Sequence, residues 1–249
     1  GLPDLALESV RKAVEINSQN KVLQFFLGMM YEYFGQAERG RDILNGIANS
    51  SEVLAELSSW QYVKNASSVL SVLVGTNTQT VIIALNAAKL DGLVLEFGVY
   101  NGKSIRRIAS LVSQRVHGFD SFEGIPEAWN HEPKGSYSAQ GQLPSVPNNV
   151  TLHPGWFSET LPAFVAQLNE PIRFLHIDCD LYSSTKTIFE YLAPHIVSGT
   201  VIVFDEFIGY KTWQDDEFKA FIEAANLHSW SYRILTFSFV TKQVAIQIE

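Results

Sequence analysis

From residue 93 onward, short apolar segments alternate with helix-like segments, and this alternation restricts the possible folds more than any other feature. Five apolar segments predict strands, and a final segment with a period of two and a break at Thr241-Lys242-Gln243 predicts a hairpin. The five predicted strands are 93–97, 116–119, 150–153, 172–177 and 200–204. Strands joined by helical crossovers form parallel sheets that are covered on both faces. The sequence therefore predicts a doubly wound, mostly parallel α/β sheet.

The first ninety residues show a helical pattern instead. Ala6, Val10 and Ala13 have the spacing of one helix face, and similar spacing returns 34 residues later, a period typical of tetratricopeptide repeats. We therefore predict a weakly tetratricopeptide-like helical extension over residues 1–88 and a second domain over residues 89–249. Two interpretations of the extension stay open, a helical cap that packs on the main domain and a groove that binds a peptide.

Composition limits the partners and the compartment. The chain has 249 residues and a net charge of −8, which suits one large α/β domain with an extension. Residues 91–249 contain 11 basic and 18 acidic side chains, a balance that repels a phosphate backbone and argues against nucleic acid. No apolar run approaches the roughly 18 residues of a membrane span, and no secretory signal is recognised. Because Cys179 is the single cysteine, no intrachain disulfide forms. We expect a soluble, cytoplasmic protein with no membrane partner.

The turn after the first predicted strand indicates a cofactor site. Glu96, Gly98 and Gly102 form the pattern E-x-G-x-x-x-G, in which a strand enters a glycine turn that opens a helix. The dinucleotide fingerprint G-x-G-x-x-G is absent. A carboxylate here would repel a pyrophosphate and pair with an ammonium group, which favours the methionine part of S-adenosylmethionine over NAD. Tyr100 is expected beside the cofactor and Ser104 near its carboxylate.

A second acid follows at the spacing typical of nucleotide folds. Asp120 stands 22 residues after Gly98, about where such folds bind ribose hydroxyls, and Ser121 is expected beside it. The alternative is that Asp120 only caps the next turn. Trp156 and Phe157 are candidates to cover the adenine, with core packing as their alternative.

Acidic residues also follow the last two predicted strands before the hairpin. Asp178 and Asp205 lie close together if their strands are adjacent, about 4.8 Å apart. Like charges at that distance raise one another's pKa or hold a hard cation. We predict Asp178 as the base or a metal ligand and also as a cofactor contact, with Asp205 and Glu206 completing the site. His176 is interpreted as a core residue, and helix capping is the alternative for Asp180.

Five motifs in order carry a family resemblance. They are LEFGVYNGKS, VHGFDSFEGIPE, GWFSETLP, HIDCDLYSST and SGTVIVFDEF. Residues 90–249 resemble the class I S-adenosylmethionine-dependent methyltransferases, specifically the macrocin O-methyltransferase (TylF-like) group. The resemblance implies a seven-stranded Rossmann-like sheet with one antiparallel strand, and methyl transfer to a hydroxyl, often on a sugar or small natural product. It also implies Mg²⁺ held by three acids, which match Asp178, Asp205 and Glu206.

Two other functions stay open. A nicotinamide-dependent oxidoreductase uses a similar sheet, although the glycine pattern and Glu96 argue against it. A non-enzymatic helical-repeat interaction protein is the third interpretation. The favoured partner is a small-molecule hydroxyl acceptor, and a homo-oligomer is left open. The long segment 121–149 is interpreted either as a lid over the acceptor or as a surface loop.

Overall fold

A computed structural model describes residues 2–66 and 71–249, and the chain divides into two compact units. The first unit contains Gly1–Asn65 and Gly209–Lys211, and the second contains Ala66–Ile208 and Thr212–Glu249. The first unit thus ends well before residue 88, the predicted end of the extension. Residues 1 and 67–70 of that predicted extension lie outside the described residues.

The first unit is helical. Its helices are α1 (Leu2–Ile16), α2 (Lys21–Tyr33), α3 (Ala37–Gly46) and α4 (Leu54–Ala66). Helix α2 begins at Asn20, whose side chain accepts a hydrogen bond from the Leu23 N–H at 3.0 Å. A Cβ added at Gly40 would lie 2.5 Å from the Gly28 carbonyl oxygen, so glycine lets α2 and α3 pack closely.

The second unit contains one eight-stranded sheet with the order β1-β7-β8-β6-β5-β2-β3-β4. All strand pairs are parallel except those of β8 with β6 and β7, which are antiparallel. The strands are β1 (Val72–Leu73), β2 (Leu93–Phe97), β3 (Val116–Asp120), β4 (Val150–Pro154), β5 (Ile172–Ile177), β6 (Val201–Phe204), β7 (Tyr232–Phe237) and β8 (Val244–Ile248).

The eighth strand corrects the predicted count of seven. Strand β1 lies in a segment that the sequence analysis assigned to helical or irregular structure, and it pairs in parallel with β7. Two residues are too few to produce a period-two pattern, so only the pairing identifies this strand. The five strands that were predicted with bounds agree with β2 to β6 to within one residue at each end, and β7 and β8 form the predicted hairpin.

Five helices connect the strands of the second unit. They are α5 (Asn77–Ala87), α6 (Lys103–Leu111), α7 (Phe157–Val165), α8 (Tyr182–Leu192) and α9 (Glu217–His228). All five residues of β2 are buried, as expected for a central strand covered on both faces. None of the helices in residues 2–66 and 71–249 combines the length and the apolar character needed to cross a lipid bilayer.

The order of the strands locates a crevice. After β2 the chain continues to β3 and β4 on one side, and then returns to β5 and β6 on the other. In open α/β sheets, ligands bind outside the carboxyl ends of the strands at such a reversal. The reversal lies between β2 and β5, whose carboxyl ends carry Gly98 and Asp178.

Candidate active site

A large pocket of about 780 Å³ opens at the carboxyl ends of β2, β3, β5 and β6. It lies entirely within the second unit. Two predicted cofactor contacts, Glu96 and Gly102, are not among its lining residues. The predicted site residues that do line it are Gly98, Tyr100, Ser104, Asp120, Ser121, Trp156, Phe157, Asp178, Asp205 and Glu206.

The glycine turn after β2 requires glycine for steric reasons. Gly98 has a φ of +90°, and an added Cβ would overlap the carbonyl oxygen of Asp178. Gly102 has a φ of +78° and is the N-cap of α6. Gly102 thus shapes the turn, and Gly98 brings the backbone to the pocket surface.

Asp120 holds the turn together from the neighbouring strand. Its Oδ2 accepts a hydrogen bond from the Tyr100 N–H at 2.7 Å, and its Oδ1 accepts one from the Phe122 N–H at 2.7 Å. Asp120 therefore caps the turn, which was the alternative interpretation of this residue. Each carboxylate oxygen has a further lone pair, and Asp120 also lines the pocket. Turn capping and ligand binding are compatible at this residue.

Glu96 lies below the pocket instead of in its wall. Its side chain is 0% exposed, and its Oε1 is 3.1 Å from Nδ1 of His176. The two residues are direct partners in the register of β2 and β5. The structure therefore pairs Glu96 with an imidazole, where the sequence analysis expected it to meet a ligand's ammonium group.

His176, interpreted from the sequence as a core residue, is buried and also lines the pocket. It is 1% exposed, and its Nε2 has no hydrogen-bond partner among the described residues. Nε2 is 4.0 Å from Oδ1 of Asp205. Residues two apart along an extended chain point to the same face. The two-residue spacing between His176 and Asp178 was therefore the sequence signal that could have placed His176 beside the pocket acids. The spacing does not indicate that Nε2 of His176 lacks a hydrogen-bond partner among the described residues.

The acids after β5 and β6 lie close together, because these strands are adjacent and parallel. Burial, followed by repulsion from Asp205, raises the pKa of Asp178 well above its usual range. Burial, followed by repulsion from Glu206, raises the pKa of Asp180 to about 7. Burial also raises the pKa of Glu206 to about 7, although Lys242 lies 3.3 Å from Glu206 Oε2 and opposes the shift.

Three side chains from this region could hold a metal ion. His176, Asp178 and Asp205 each offer one ligand atom, and these atoms lie within 4.8 Å of one another. Two of the three predicted metal ligands, Asp178 and Asp205, belong to this group. Glu206, the third, is paired with Lys242.

Glu217, which the sequence analysis did not single out, connects the two acidic loops. It is the first residue of α9 and is 0% exposed. Its Oε1 accepts hydrogen bonds from the N–H groups of Cys179 at 3.3 Å and Asp180 at 3.2 Å, and its Oε2 accepts one from Glu206 at 3.3 Å. Burial raises the pKa of Glu217 well above its usual range. No local pattern marks this residue, because its partners are 11 to 38 residues away.

Aromatic residues and two cations form other walls. Phe157 packs edge-on against Phe97 at 5.1 Å, and Trp156 is the N-cap of α7. In the segment 121–149, Trp129 and Tyr137 line the pocket, and Tyr137 lies 6.4 Å from the ring of Tyr100. This segment thus supplies part of the pocket wall. Lys103 and Arg107 on α6 also line the pocket.

A family model matches the part of the chain that surrounds the pocket. Residues 95–207 match a family model described as a methyltransferase domain. This match begins in β2 and ends just after the acids that follow β6. This part of the chain is thus similar to a methyltransferase domain, and it contains the strand-end pocket.

Two curated proteins are similar in sequence to this chain. The 8-demethyl-8-(2,3-dimethoxy-alpha-L-rhamnosyl)-tetracenomycin-C 4'-O-methyltransferase of Streptomyces olivaceus is 28% identical over 159 residues, covering 53% of this chain and 59% of that protein. The demethyldecarbamoylnovobiocin O-methyltransferase of Streptomyces niveus is 23% identical over 249 residues, covering 87% of this chain and 92% of that protein. The match thus spans a little over half of the first relative. Both relatives are O-methyltransferases by name.

A solved structure agrees on the fold. The crystal structure of the calicheamicin methyltransferase CalS11 aligns with a TM-score of 0.56 and 20% identity, covering 69% of this chain and 78% of that one. At this identity the likeness shows the fold alone.

Proposed function

We propose that this protein transfers the methyl group of S-adenosylmethionine to a hydroxyl of a small molecule, a sugar or a glycosylated natural product. The observation that carries the proposal is a single pocket that joins the glycine turn and Asp120 to Asp178, Asp180 and Asp205. One end has the features of a nucleoside site, and the other end collects carboxylates. The names of the two curated relatives support a glycosylated acceptor.

The cofactor end binds by shape and by hydrogen bonds. Gly98 lets the ligand approach the backbone, and Asp120 accepts hydrogen bonds from the ribose hydroxyls through its remaining lone pairs. Trp156 and Phe157 cover the adenine. Because Glu96 is paired with His176, the methionine end contacts the turn residues and Ser104 instead.

Methyl transfer is an in-line displacement, so most of the rate comes from alignment of the acceptor oxygen with the sulfonium methyl group. The C–O bond forms as the S–C bond breaks, and the hydroxyl proton passes to a carboxylate. The sequence analysis assigned this base to Asp178. Asp180 is a second candidate on the same loop, because a pKa of about 7 matches a base that works near neutral pH.

A divalent cation fits at the acidic end. When bound, such a cation acidifies the acceptor hydroxyl and neutralises the charge of the acids. The residues that would hold it are His176, Asp178 and Asp205, and the buried Nε2 of His176 without a hydrogen-bond partner supports this fit. Without the cation, Asp178 and Asp180 still bind and orient the acceptor hydroxyl.

The first test is cofactor choice. We expect S-adenosylhomocysteine to raise the melting temperature by several degrees, and NADH to leave it unchanged. Asp120→Asn should weaken S-adenosylhomocysteine binding at least tenfold in calorimetry, while Asp91→Asn, an exposed turn acid, should not. A shift with NADH alone would support the oxidoreductase alternative.

The second test is turnover. Radiolabelled S-adenosylmethionine should label hydroxylated acceptors from a pool of sugars and glycosides. Asp178→Asn should reduce this labelling at least a hundredfold while S-adenosylhomocysteine still binds. Near-normal labelling by that variant would contradict the assignment of Asp178.

A further inference from the structure

We propose that Lys103 and Arg107 form an oxyanion subsite in the wall of the pocket, which binds a carboxylate or phosphate group of a bound ligand. The proposal rests on the proposed function for the identity of the pocket, and it adds two residues and a ligand charge that this function does not contain. Two ligand groups can supply the oxyanion, the carboxylate at the methionine end of the cofactor and a phosphate group of the acceptor.

The two cations lie on one face of helix α6, in the pocket wall. Lys103 is the first residue of α6, and Arg107 follows about one turn later. Residues three and four apart are neighbours on a helix surface, so Ser104 lies on the same face as Arg107. All three residues line the pocket. Two positive charges and one hydroxyl group are therefore directed to the same part of the cavity.

The protein itself supplies no partner for either charge. The described contacts of both residues involve only backbone atoms. The N–H of Lys103 donates to Oδ1 of Asn101 at 3.2 Å, and the carbonyl oxygen of Arg107 accepts from Oγ of Ser110 at 2.7 Å. In the part of the chain that the structure describes, no acid pairs with the Lys103 ammonium or the Arg107 guanidinium group.

Arg106, the third cation of α6, shows the contrast with a structural residue. Its Nη1 donates to the carbonyl oxygens of Asn101 at 3.0 Å and of Ser145 at 3.1 Å, so it connects the turn to the segment before β4. The hydroxyl of Ser104, like the two charges, has no hydrogen-bond partner among the described residues. This wall of the pocket thus presents donors without an acceptor.

The placement of the two cations is unfavourable without an anion. Like charges four residues apart on a helix repel each other, and the helix dipole disfavours cations in the first turn. Helix α6 has no acid in its first turn. Among the pocket acids, Glu206 pairs with Lys242, and Asp120 accepts hydrogen bonds from two backbone N–H groups. An anionic group of a ligand would offset the repulsion.

The chemistry of the donors determines the class of ligand group. A guanidinium group binds a carboxylate or a phosphate through two parallel hydrogen bonds, and an ammonium group adds a point charge. An uncharged sugar hydroxyl offers neither arrangement. Lys103 and Arg107 therefore favour an oxyanion over the neutral part of an acceptor.

The first arm of the experiment tests the carboxylate by calorimetry on the full chain. Its probes are S-adenosylhomocysteine and decarboxylated S-adenosylhomocysteine, which keeps the amino group. We expect Arg107→Gln to weaken S-adenosylhomocysteine binding about fivefold, and Lys103→Gln with Arg107→Gln about tenfold. Neither change should weaken binding of the decarboxylated probe more than about twofold, and Arg107→Lys should restore part of the loss.

The second arm tests the phosphate. Inorganic pyrophosphate is titrated into the complex with S-adenosylhomocysteine. If the acceptor supplies the oxyanion, pyrophosphate binds to this complex, and the double variant loses at least fivefold in pyrophosphate affinity while S-adenosylhomocysteine affinity is unchanged. Added NaCl should weaken the affected binding more in the unchanged protein than in the double variant.

The controls separate a charge contact from a disturbed fold. Lys89→Gln removes an exposed cation outside this pocket and should change neither affinity. The ligand-free double variant should melt no lower than the unchanged protein, because its helix has lost a like-charge pair. The absence of an anion-specific loss in both arms would overturn the proposal. Equal losses for S-adenosylhomocysteine and its decarboxylated analogue count as such an absence.

The same titrations separate this proposal from the proposed function. If the unchanged protein does not bind S-adenosylhomocysteine, the proposed function fails, and pyrophosphate titrated into the ligand-free protein then tests the subsite. If S-adenosylhomocysteine binds equally to the unchanged protein and the double variant, and pyrophosphate shows no difference, only the oxyanion subsite fails.

Discussion

Glu96 and His176 face each other across the paired strands β2 and β5, with Oε1 3.1 Å from Nδ1 in the buried interior of the sheet. The pair lies beneath the acids of the pocket. Removing one partner of a buried ion-paired or hydrogen-bonded pair commonly costs about 3–5 kcal/mol. Glu96, the acid of the E-x-G-x-x-x-G pattern, therefore helps to hold the acidic end of the pocket in place.

Replacement of Glu96 should destabilise the protein. We expect Glu96→Ala to lower the free energy of unfolding by about 3 kcal/mol, because it leaves Nδ1 of His176 without an acceptor and opens a cavity. Glu96→Gln, which keeps an acceptor oxygen, should lose less than half of that amount. Urea unfolding measures both. Equal losses in the two variants would show that the hydrogen bond to His176 contributes little.

Gly98→Ala should abolish cofactor binding for a steric reason. The added Cβ meets the carbonyl oxygen of Asp178, and the backbone φ of +90° adds strain. Gly35→Ala is the matched control, because its φ is +85° but nothing lies within 4 Å of its added Cβ. We expect the control to lose only about 1 kcal/mol of stability and to bind S-adenosylhomocysteine normally in calorimetry. Normal binding by Gly98→Ala would contradict the close approach.

Glu217 should be a positioning residue for the acidic loops. Glu217→Ala leaves three backbone N–H groups without their acceptor, so we expect a loss of about 3 kcal/mol in urea unfolding. Glu217→Gln keeps one carbonyl oxygen and should retain the N–H bonds of Cys179 and Asp180. In that variant we expect kcat to fall more than tenfold, with S-adenosylhomocysteine affinity unchanged. A fall in cofactor affinity alone would argue against a role at the acidic end.

Asp180 should make the protein less stable as pH rises. Its folded pKa of about 7 is above the unfolded value of 3.8, so the native state binds more protons between these values. The stability contributed below pH 4 is then lost as pH rises to about 7. Because the Asp180 side chain is partly exposed, the full shift is discounted for solvent screening, and we expect Asp180→Asn to be more stable than the unchanged protein at pH 8 by about 2 kcal/mol and equal to it near pH 4. Thermal unfolding of chelator-treated samples measures these differences. Asp215→Asn, which replaces an exposed acid, is the control.

The pair His117 and His153 should make the protein less stable as pH falls, which is opposite to the effect of Asp180. Nδ1 of His117 on β3 lies 3.0 Å from Nε2 of His153 on β4. Burial, followed by the charges of His153 and Arg115, lowers the pKa of His117 to about 4. Because the unfolded chain binds more protons between pH 4 and 6.5, stability falls as pH falls through that range.

His117→Gln isolates this contribution. The ring is half-buried, so after discounting for solvent we expect it to account for about 1 kcal/mol of the stability lost between pH 7 and pH 5. The variant should lose that much less than the unchanged protein in urea unfolding. Parallel pH dependence in both proteins would rule out His117 as the source.

Much of the pocket was predictable because parallel strands align their carboxyl ends. Once the strand segments were recognised, Asp120, Asp178 and Asp205 had to lie at one edge of the sheet. Gly98 was predictable from the same local pattern. In each case the information lies within a few residues of a strand end.

Other features depend on pairing over long distances. Strand β1 exists only because β7 lies beside it, and Glu217 holds backbone groups from two other loops. Neither leaves a periodic signal in its own segment. The boundary between the two compact units near Asn65 likewise depends on tertiary contacts, and the composition of the chain does not indicate it.

The sequence by itself determined the α/β class, the strand-end position of the pocket and the acids at the strand ends, because hydrophobic periodicity and strand-end residues are local properties. Only the tertiary structure decided that Glu96 pairs with His176, that Nε2 of His176 is left without a partner, and that Glu206 pairs with Lys242. Which polar atoms become satisfied is a property of neighbouring strands and loops, and the order of residues along one strand does not contain it.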